Sequence, residues 1–583
     1  MNIWLLSISV LIVCSGSVNA TFCRCQPYQP CWPTEAHWAA LNSSIEGNLI
    51  PVKPLAYPCH DTEFNVAECT MIKQNAYNSS YRSSQPGALQ YSNWESWPKE
   101  DEQCYIESPR STICKQGRVS LYSAKVQTAK HVQNTVEFAA RHNIRLVIKN
   151  TGHDYLGRSS SPNSLQIFTH NFKDISIIDE FVPTVPFGMS VPRSIKAVTI
   201  GAGVQMHELY SFLGSKDTMV VGGSANTIGI AGGYIQGGGH SYQGWLHGMA
   251  SDNALEFQVV LANGSLISVN QYQNTDLFFA LRGGGGGSFG VVLSVTVKSH
   301  ANYPVVFATL NYTTSIGPFW KGSEAFHRHI VNLNDNGGSG YYSMIPNTPV
   351  PNSQSLSTFV LHLAFINQTS TEAAGKLLSP LLSDLRKAIG SEPSLHVVSF
   401  PSLSGFYTTL LRGNDTTGFQ TRLGSRLISR SFFESNNSTK LTTAISSLEF
   451  HPGDAVIGAI VAGGQVAKNR DIESGLNPSW RDSMVHILIA RLMSPGMTSN
   501  EQAAISANIT GQDVPLLESL ESGIMGAYLN EADADEPDFQ QAFWGINYPR
   551  LRAIKALRNP HNLFIVRKGV GSEDWDDDGL CRL

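Results

Sequence analysis

The sequence predicts an α+β fold of more than one domain. Its 583 residues are enough for two hydrophobic cores. After Arg118, short β-branched runs alternate with segments of helical periodicity, which is typical of mixed sheets and helices. Three glycine-rich runs lie before residue 300, whereas residues 301–520 alternate strands and amphipathic helices without such runs. We therefore expect two α+β parts, of which only the first carries glycine-rich loops.

The individual elements follow from periodicity and turn signals. Val132, Val136 and Ala139 recur on one helical face, and Asn263-Gly264 is a dipeptide favoured in hairpin turns. The predicted strands are Val119–Ala124, Arg145–Lys149, Lys196–Gly201, Glu256–Leu261, Ser265–Val269 and Val291–Val297. The predicted helical segments are Thr128–His142, Met206–Gly214, Asp276–Arg282, Ser370–Ile389 and Asn547–Leu557, the last of them ended by Asn559-Pro560.

The first 20 residues, Met1–Ala20, have the pattern of a secretory signal peptide. An apolar run from Ile3 to Cys14 is followed by small residues that end at Ala20. No later apolar run reaches the ~18 residues that span a bilayer. We therefore expect a secreted, extracellular protein with no membrane contact after cleavage.

The cysteines agree with that compartment. Eight remain after Ala20, and seven of them lie in residues 21–117, a Pro- and Trp-rich stretch that we interpret as a loop-rich cover. An even number predicts disulfides, with Cys581 tying back the C-terminal tail. Sequons that predict N-glycosylation stand at Asn42, Asn78, Asn263, Asn311, Asn367, Asn414, Asn436, Asn437 and Asn508.

Charge and ligand spacing exclude several functions. The formal net charge is −5, with no basic stripe and no acidic tail, so nucleic acid is not expected as a partner. Cys23-Arg24-Cys25 is not followed by a matching histidine pair, which favours disulfides over a metal. No metal site is predicted.

His153 stands in a glycine-flanked turn directly after the strand Arg145–Lys149. Gly152 and Gly157 allow the backbone to approach a flat ligand closely. An imidazole with one unprotonated nitrogen is also a nucleophile. The alternative is a histidine that caps a surface turn.

A second glycine cluster runs from Gly222 to Gly239. Each glycine costs up to ~1 kcal/mol in a regular element, so the run is not ordinary core. Exposed backbone N–H groups bind anions, and a diphosphate is the expected ligand. The alternative, a flexible linker, is disfavoured because Ile, Tyr and Gln are interleaved.

A third cluster runs from Arg282 to Gly290 and contains the spacing Gly285-x-Gly287-x-x-Gly290. A dinucleotide loop of the Rossmann type follows a strand and opens a helix. Here a helical turn precedes the glycines and a strand follows, so we reject a nicotinamide site.

In this order and spacing, the three clusters resemble the FAD domain of the p-cresol methylhydroxylase/vanillyl-alcohol oxidase superfamily, in its berberine-bridge-enzyme-like branch. The C-terminal segments Tyr528–Asn530, Asn547–Leu551 and Asn559–Phe564 resemble the segments that return to the flavin in that family. The resemblance implies a two-part FAD-binding domain at residues 118–300 and an α+β substrate domain with an antiparallel sheet at 301–520. It also implies a C-terminal segment, 521–583, that returns to the FAD domain.

The resemblance implies a single covalent bond from His153 to the 8α methyl of FAD, since Ala225 or Asn226 stands where doubly linked relatives have a cysteine. The residues implied to bind the cofactor are Asn150, Thr151, Gly152, His153, Asp154, Tyr155, Gly157, Arg158, Ser159, Gly222, Gly223, Asn226, Thr227, Gly229, Gly232, Gly233, Gly237, Gly238, Gly239, His240, Val292, Asn530 and Asn547.

The catalytic base has several candidates. Several relatives have a tyrosine where Glu531 follows Asn530 here. A buried carboxylate can act as a base, and the alternative for Glu531 is a solvated acid. Tyr528 is a second candidate, and an unidentified residue of the substrate domain is a third.

The function implied is that of a secreted FAD-dependent oxidase, with a small alcohol-type or activated C–H substrate and dioxygen as partners. The protein orients and tunes the cofactor, and hydrogen peroxide is the expected second product. The alternatives are a flavin dehydrogenase with another acceptor, a tailoring enzyme that performs oxidative cyclisation, and a non-catalytic flavin-fold glycoprotein.

Overall fold

The computed structural model describes residues 22–413 and 415–583 and confirms an α+β fold. The predicted signal peptide, Met1–Ala20, and the sequon at Asn414 lie outside the described residues. Within these ranges, no helix combines the length and apolar character needed to cross a membrane.

The first sheet has four strands, in the order Leu49–Pro51, Tyr122–Ala124, Ser164–Phe168 and Arg145–Lys149. The last three are parallel, as expected where a helix crosses over between strands. The crossover helix Ala129–Arg141 begins at Thr128, whose side chain accepts a hydrogen bond from the His131 amide.

The second sheet has five antiparallel strands, in the order Ile175–Phe181, Ile195–Gly201, Val291–Lys298, Ala254–Val260 and Leu266–Asn270. Its core includes Val198, Phe257 and Val295, all fully buried. The sheet directs the loops that contain the second and third glycine clusters toward the turn after Lys149.

The third sheet has seven antiparallel strands, in the order Ser394–Phe400, Val305–Thr314, Leu356–Ile366, Gly338–Thr348, Ala455–Ile460, Ser483–Met493 and Gln420–Ser429. Helices Ile316–His327 and Thr371–Ile389 pack against it and close a separate apolar core. Two further short strands, Thr218–Met219 and His300–Ala301, pair with each other.

The remaining helices are mostly short. They are Glu35–Ser44, Val66–Asn75, Ser79–Ser84, Met206–Gly214, Gly244–His247, Thr275–Ala280, Ile330–Asp335, Leu403–Leu410, Arg430–Glu434, Ser438–Ser446, Gly464–Lys468, Ser499–Asn508, Val514–Glu518, Phe539–Trp544 and Tyr548–Arg558. The predicted elements are present, and their ends differ from the predicted ones by at most three residues. The predicted strand Val119–Ala124 shortens to Tyr122–Ala124.

Residues 22–117 are more ordered than a loop-rich cover. Leu49–Pro51 extends the first sheet, and Trp38 of helix Glu35–Ser44 stacks on Tyr122 with ring centroids 4.2 Å apart. The predicted disulfides are present as Cys25–Cys31, Cys59–Cys69 and Cys104–Cys114. The partner of Cys581 is Cys23, so the two ends of the described chain are joined.

Candidate active site

The turn after Lys149 is held in shape by Asp154. This buried carboxylate accepts hydrogen bonds from the backbone N–H groups of Leu156 and Ser159, at 3.2 and 2.9 Å. Nε of Arg158 donates to it at 2.9 Å. Gly152 adopts a φ of +81°, which favours glycine. The loop is therefore built from local hydrogen bonds and projects His153 away from the sheet.

The imidazole of His153 is enclosed and oriented. Its Nε2 atom lies 2.6 Å from Oγ1 of Thr227, a residue of the second glycine cluster. Burial lowers the pKa of His153 to about 4, so the ring is neutral near pH 7. The contact with Thr227 leaves Nδ1 without a hydrogen bond among the described residues. A neutral ring with one uncommitted nitrogen has the properties of a nucleophile.

The first cavity lies beside this histidine and is lined by all three glycine clusters. Its wall includes Asn150, Thr151, Gly152, His153, Asp154, Arg158, Ser159, Ile228, Gly229, Ala231, Gly232, Gly233, Tyr234, Gln236, Gly286, Gly287, Gly290 and Val292. The second and third clusters meet where a Cβ on Gly286 would lie 3.1 Å from Cα of Gly233. The close approach explains why residue 286 is a glycine.

The side chain of Asn150 explains why residues 229 and 232 are glycines. A Cβ on Gly229 would lie 2.4 Å from Oδ1 of Asn150, and one on Gly232 would lie 2.8 Å from its Nδ2. The Oδ1 atom is buried and has no hydrogen-bond partner in the described chain. A buried acceptor without a partner, in a narrow cleft of bare backbone, fits an elongated ligand with polar groups, such as a dinucleotide.

A second cavity adjoins the first and shares His153, Ile228, Gly233 and Tyr234 with it. It is wider, with about 360 Å³ open to water against about 90 Å³. Further wall residues are Tyr91, Tyr155, Gly223, Ser224, Ala225, His240, Tyr341, Asp415, Thr416, Thr417, Phe419, Ile457, Ala459, Leu488, Tyr528, Asn530 and Glu531. His153 thus lies between a narrow polar cleft and a broader aromatic chamber.

Glu531 faces this chamber, which disfavours its interpretation as a solvated surface acid. Both its carboxylate oxygens lie 3.2 Å from Nε2 of His240, and His486 Nδ1 is 3.6 Å away. Burial by itself would raise the pKa of Glu531, but the charge of His240 and its hydrogen bond to the carboxylate outweigh burial and lower the pKa. Burial lowers the pKa of His486 to about 3, so that ring is neutral at neutral pH. Glu531 is an ionised carboxylate at neutral pH.

Tyr528 lies in the same wall of the chamber but, unlike Glu531, is protonated at neutral pH. Burial, with the charge of Glu531 adding to it, raises its pKa well above the usual range, so the side chain is a neutral phenol. Its oxygen accepts a hydrogen bond from Nδ2 of Asn530 at 2.7 Å. Of the two predicted candidates, Glu531 is the one in a basic form at neutral pH.

The ligand atoms of His240, His486 and Glu531 all lie within 4.8 Å of one another, a spacing that could hold a metal ion. No pattern in the sequence predicted this cluster. His240 also approaches the Tyr341 hydroxyl with Nδ1 at 3.0 Å. The sequence signal that could have identified His486 is a histidine within the apolar strand Ser483–Met493.

Several predicted cofactor residues lie away from both cavities because they pack against protein. Five glycines lie against a side chain: Gly157 against Trp94, Gly222 against Tyr210, Gly237 against Asn530, Gly238 against Leu476 and Gly239 against Tyr234. Asn226 forms hydrogen bonds with Asp415 and with the Gly413 carbonyl. Asn547 donates to the carbonyls of Ser474 and Leu476. The structure places these residues in loop packing beside the cavities, and their contact with the cofactor stays a prediction.

The C-terminal segment returns to the glycine clusters. Nδ2 of Asn530 donates to the Gly233 carbonyl at 3.0 Å, and its Oδ1 accepts from Arg158 at 3.1 Å. Trp544 donates to the Gly283 carbonyl at 3.1 Å. Asn530 therefore connects the His153 loop, the second cluster and the tail.

Two family models match the chain. The model described as FAD binding domain covers residues 121–270, and the model described as berberine and berberine like covers residues 527–571. They contain the His153 loop, the second glycine cluster and the segment with Glu531.

Relatives match along nearly the whole chain. An FAD-linked oxidoreductase of Arthroderma benhamiae is 46% identical over 96% of each chain. A flavin-dependent oxygenase of Aspergillus ustus is 38% identical over 94% of this chain and 99% of its own. The crystal structure of a vanillyl-alcohol-oxidase-type flavoprotein of Myceliophthora thermophila superposes with a TM-score of 0.84 at 31% identity, covering 96% of this chain and 100% of the other. The chain belongs to the berberine-bridge-enzyme-like branch of the p-cresol methylhydroxylase/vanillyl-alcohol oxidase superfamily and is an FAD-linked oxidoreductase.

Proposed function

We propose that the protein is a secreted oxidase that removes two hydrogens from an alcohol-type or activated C–H substrate and forms hydrogen peroxide from dioxygen. The observation that supports this most strongly is the ionised carboxylate of Glu531 in the wall of a chamber that also contains His153. A base and a flavin-attachment residue thus face the same space.

We propose that FAD is bound along the first cavity and is attached by one covalent bond, through His153. The neutral imidazole and the contact with Thr227 support the bond. Ala225, which lines the second cavity, supports the absence of a cysteinyl bond. The chemistry that FAD supplies when bound is hydride acceptance and electron transfer to dioxygen.

The side chains of the chamber have different proposed roles in proton transfer and substrate binding. Glu531 accepts the proton of the substrate hydroxyl or activated C–H group, and His240 holds the carboxylate in position. Tyr91 and Tyr155, stacked with centroids 4.0 Å apart, offer an aromatic wall to the substrate. The proton lost to Glu531 and the transferred hydride account for the two hydrogens removed.

A second candidate is oxidative cyclisation of a larger multi-ring substrate at the same site. The width and aromatic lining of the second cavity favour it. The product distinguishes the two: an oxidase of alcohols gives a carbonyl compound, whereas cyclisation gives a new ring.

The experiment is a screen of alcohols and oligosaccharides for peroxide release by the purified flavoprotein. Substrate-dependent bleaching of the yellow colour, followed by rapid reoxidation in air, supports the oxidase. Bleaching with no reaction with dioxygen in stopped flow would show a dehydrogenase. A colourless protein would contradict the proposal altogether.

Secretion is part of the proposal. It is supported by the four disulfides and by the predicted signal peptide Met1–Ala20. Mass spectrometry of the secreted protein tests it: we expect a chain that begins near Thr21, carries N-glycans and has no alkylatable thiol. An intact Met1 with free thiols would place the protein inside the cell.

A further inference from the structure

A pocket on the far side of the His153 loop has unpaired hydrogen-bond donors. It has about 500 Å³ open to water. Its walls come from residues 93–99, the strand Gln420–Ser429, the helix Ser499–Asn508 and the C-terminal segment. Ligand sites are common where separate parts of a fold meet in this way.

Three arginines surround one indole in this pocket. The guanidinium carbons of Arg118, Arg422 and Arg567 lie 5.7, 4.0 and 5.5 Å from the ring of Trp94. Arg118 is paired with Asp578. Arg567 is paired with two further aspartates, Asp535 and Asp577.

Arg422 is the exception among them. It has no ion pair in the described chain, and its Nε and Nη1 atoms are buried without a hydrogen-bond partner. Burial lowers its pKa to about 10, so it remains charged at neutral pH. Leaving such a donor unsatisfied is costly, which indicates that a partner belongs there.

Two more donors on this pocket are unsatisfied. Nε of Arg118 and Nδ2 of Asn93 are buried and have no hydrogen-bond partner among the described residues, and Asn93 is 3% exposed. Oδ1 of Asn93 accepts from the Thr421 amide at 3.2 Å, which fixes the amide orientation. The aspartates of the pocket pair with Arg118 and Arg567, and Asp535 and Asp533 act on Arg422 only through charge, so these donors lack an acceptor atom within hydrogen-bond distance.

We propose that this pocket binds a small organic carboxylate. The planar guanidinium of Arg422 matches a carboxylate, with Arg118 and Asn93 as further donors. Trp97, Pro98 and Ala503 line the remainder of the space and fit an apolar body. The site is separate from the second cavity, with which it shares no wall residue.

The pocket is connected to the flavin-attachment loop. Trp94 donates to the Tyr155 carbonyl at 3.0 Å, and Arg118 donates to the Ser160 carbonyl at 3.1 Å. Both residues would also be in contact with, or beside, the bound carboxylate. The proposed site and the loop that contains His153 therefore share Trp94 and Arg118 as contacts.

The test is calorimetric titration of the purified flavoprotein with benzoate. We expect saturable binding with one site that involves Arg422. Arg422→Leu should weaken it at least tenfold, whereas Arg412→Leu, at an exposed arginine, should leave it unchanged. Glu531→Gln should also leave it unchanged. If Glu531→Gln abolishes the binding and Arg422→Leu does not, benzoate occupies the second cavity and the proposal is wrong.

Two further ligands test the chemistry of the site. Benzyl alcohol should bind at least tenfold more weakly than benzoate because it lacks the charge, and inorganic phosphate because it lacks the apolar body. Equal binding of either would overturn the assignment to an organic carboxylate. Arg422→Lys keeps the charge without the planar fork and should give intermediate affinity, provided its flavin content matches wild type. No benzoate binding to wild-type protein would also overturn the proposal.

Discussion

Nε2 of His153 lies 2.6 Å from the hydroxyl oxygen of Thr227, although 74 residues separate them in sequence. The contact joins the first glycine-flanked turn to the second glycine cluster. It fixes the ring and leaves Nδ1 as the nitrogen without a hydrogen bond in the described chain. Orientation and a low pKa together support the proposed attachment of this histidine to a cofactor.

The first prediction concerns that attachment. His153→Ala should leave FAD extractable by acid and should lower activity, because the proposed bond has no other donor. Thr227→Val, which keeps the shape but loses the hydroxyl, should slow attachment without abolishing it. Acid precipitation followed by absorbance of pellet and supernatant measures both. Acid-stable flavin in His153→Ala would disprove the assignment.

The second prediction concerns the cleft. Gly229→Ala should reduce flavin content because its Cβ would lie 2.4 Å from Oδ1 of Asn150 and displace that side chain into the cavity. Gly317→Ala is the matched control, since nothing lies within 4 Å of its Cβ. The ratio of flavin to protein absorbance measures the effect. Full occupancy in a folded Gly229→Ala variant would contradict the proposed position of the cofactor.

The third prediction concerns the base. Glu531→Gln should slow reduction of the flavin by substrate about 10²–10⁴-fold, the usual contribution of a general base. Tyr528→Phe should have a smaller effect, since the phenol is neutral and its pKa is raised. Stopped-flow absorbance compares the variants at equal flavin content. A larger loss for Tyr528→Phe would transfer the role of base to the tyrosine.

The fourth prediction concerns acid stability. His327 is buried among the rings of Phe326, Tyr342 and Phe433, and burial lowers its pKa to about 3. Between pH 6.5 and 3, the unfolded chain binds a proton there that the folded chain does not. The contribution of His327 to the free energy of unfolding is therefore fully present above pH 6.5. It falls by about 1.4 kcal/mol per pH unit as the pH falls through this window.

Thermal unfolding at pH 7 and pH 5 measures this loss. His327→Gln removes the titrating group while it can still bond to the Tyr342 hydroxyl, so its Tm should fall less between the two pH values. His396→Gln, at an exposed histidine, is the control. An identical fall in Tm for wild type and His327→Gln would show that another group governs acid stability.

The fifth prediction concerns the chain ends. The Cys23–Cys581 disulfide spans 558 residues, whereas Cys25–Cys31 spans 6. In the chain-entropy account, a longer closed loop gives more stabilisation, within a usual range of about 2–5 kcal/mol for removal of a native disulfide from a small secreted domain. Replacing the first pair by serine should lower Tm more than replacing the second. The reverse order would show that strain or local packing dominates.

Local sequence patterns determined most of the elements. Arg145–Lys149 and Met206–Gly214 have the predicted bounds, because a short apolar run and a helical stripe specify their conformation over few residues. The turn that contains His153 was also predictable from sequence, since Gly152 and Gly157 adopt the positive φ that favours glycine. The glycine clusters were recognisable because so many glycines in one run exclude ordinary core.

Which glycines line a cavity was decided by tertiary structure. Gly229 and Gly232 line the first cavity, whereas Gly238, a few residues on, packs against Leu476. The three have the same chemistry and the same local context in the sequence. The side chain that each glycine contacts comes from a segment distant in sequence, so local sequence patterns do not predict the contact.

The environment of the candidate base, Glu531, likewise could not be predicted from local sequence patterns. Sequence left Glu531 between a solvated acid and a buried base, because the residues that decide its environment, His240 and His486, lie 291 and 45 positions away. The sequence by itself determined the residue types, the turns and the family. Only the folded chain brought the carboxylate of Glu531, the imidazole of His240 and the His153 loop around one chamber, with His486 buried behind the carboxylate. Burial and charge depend on distances in space rather than along the chain.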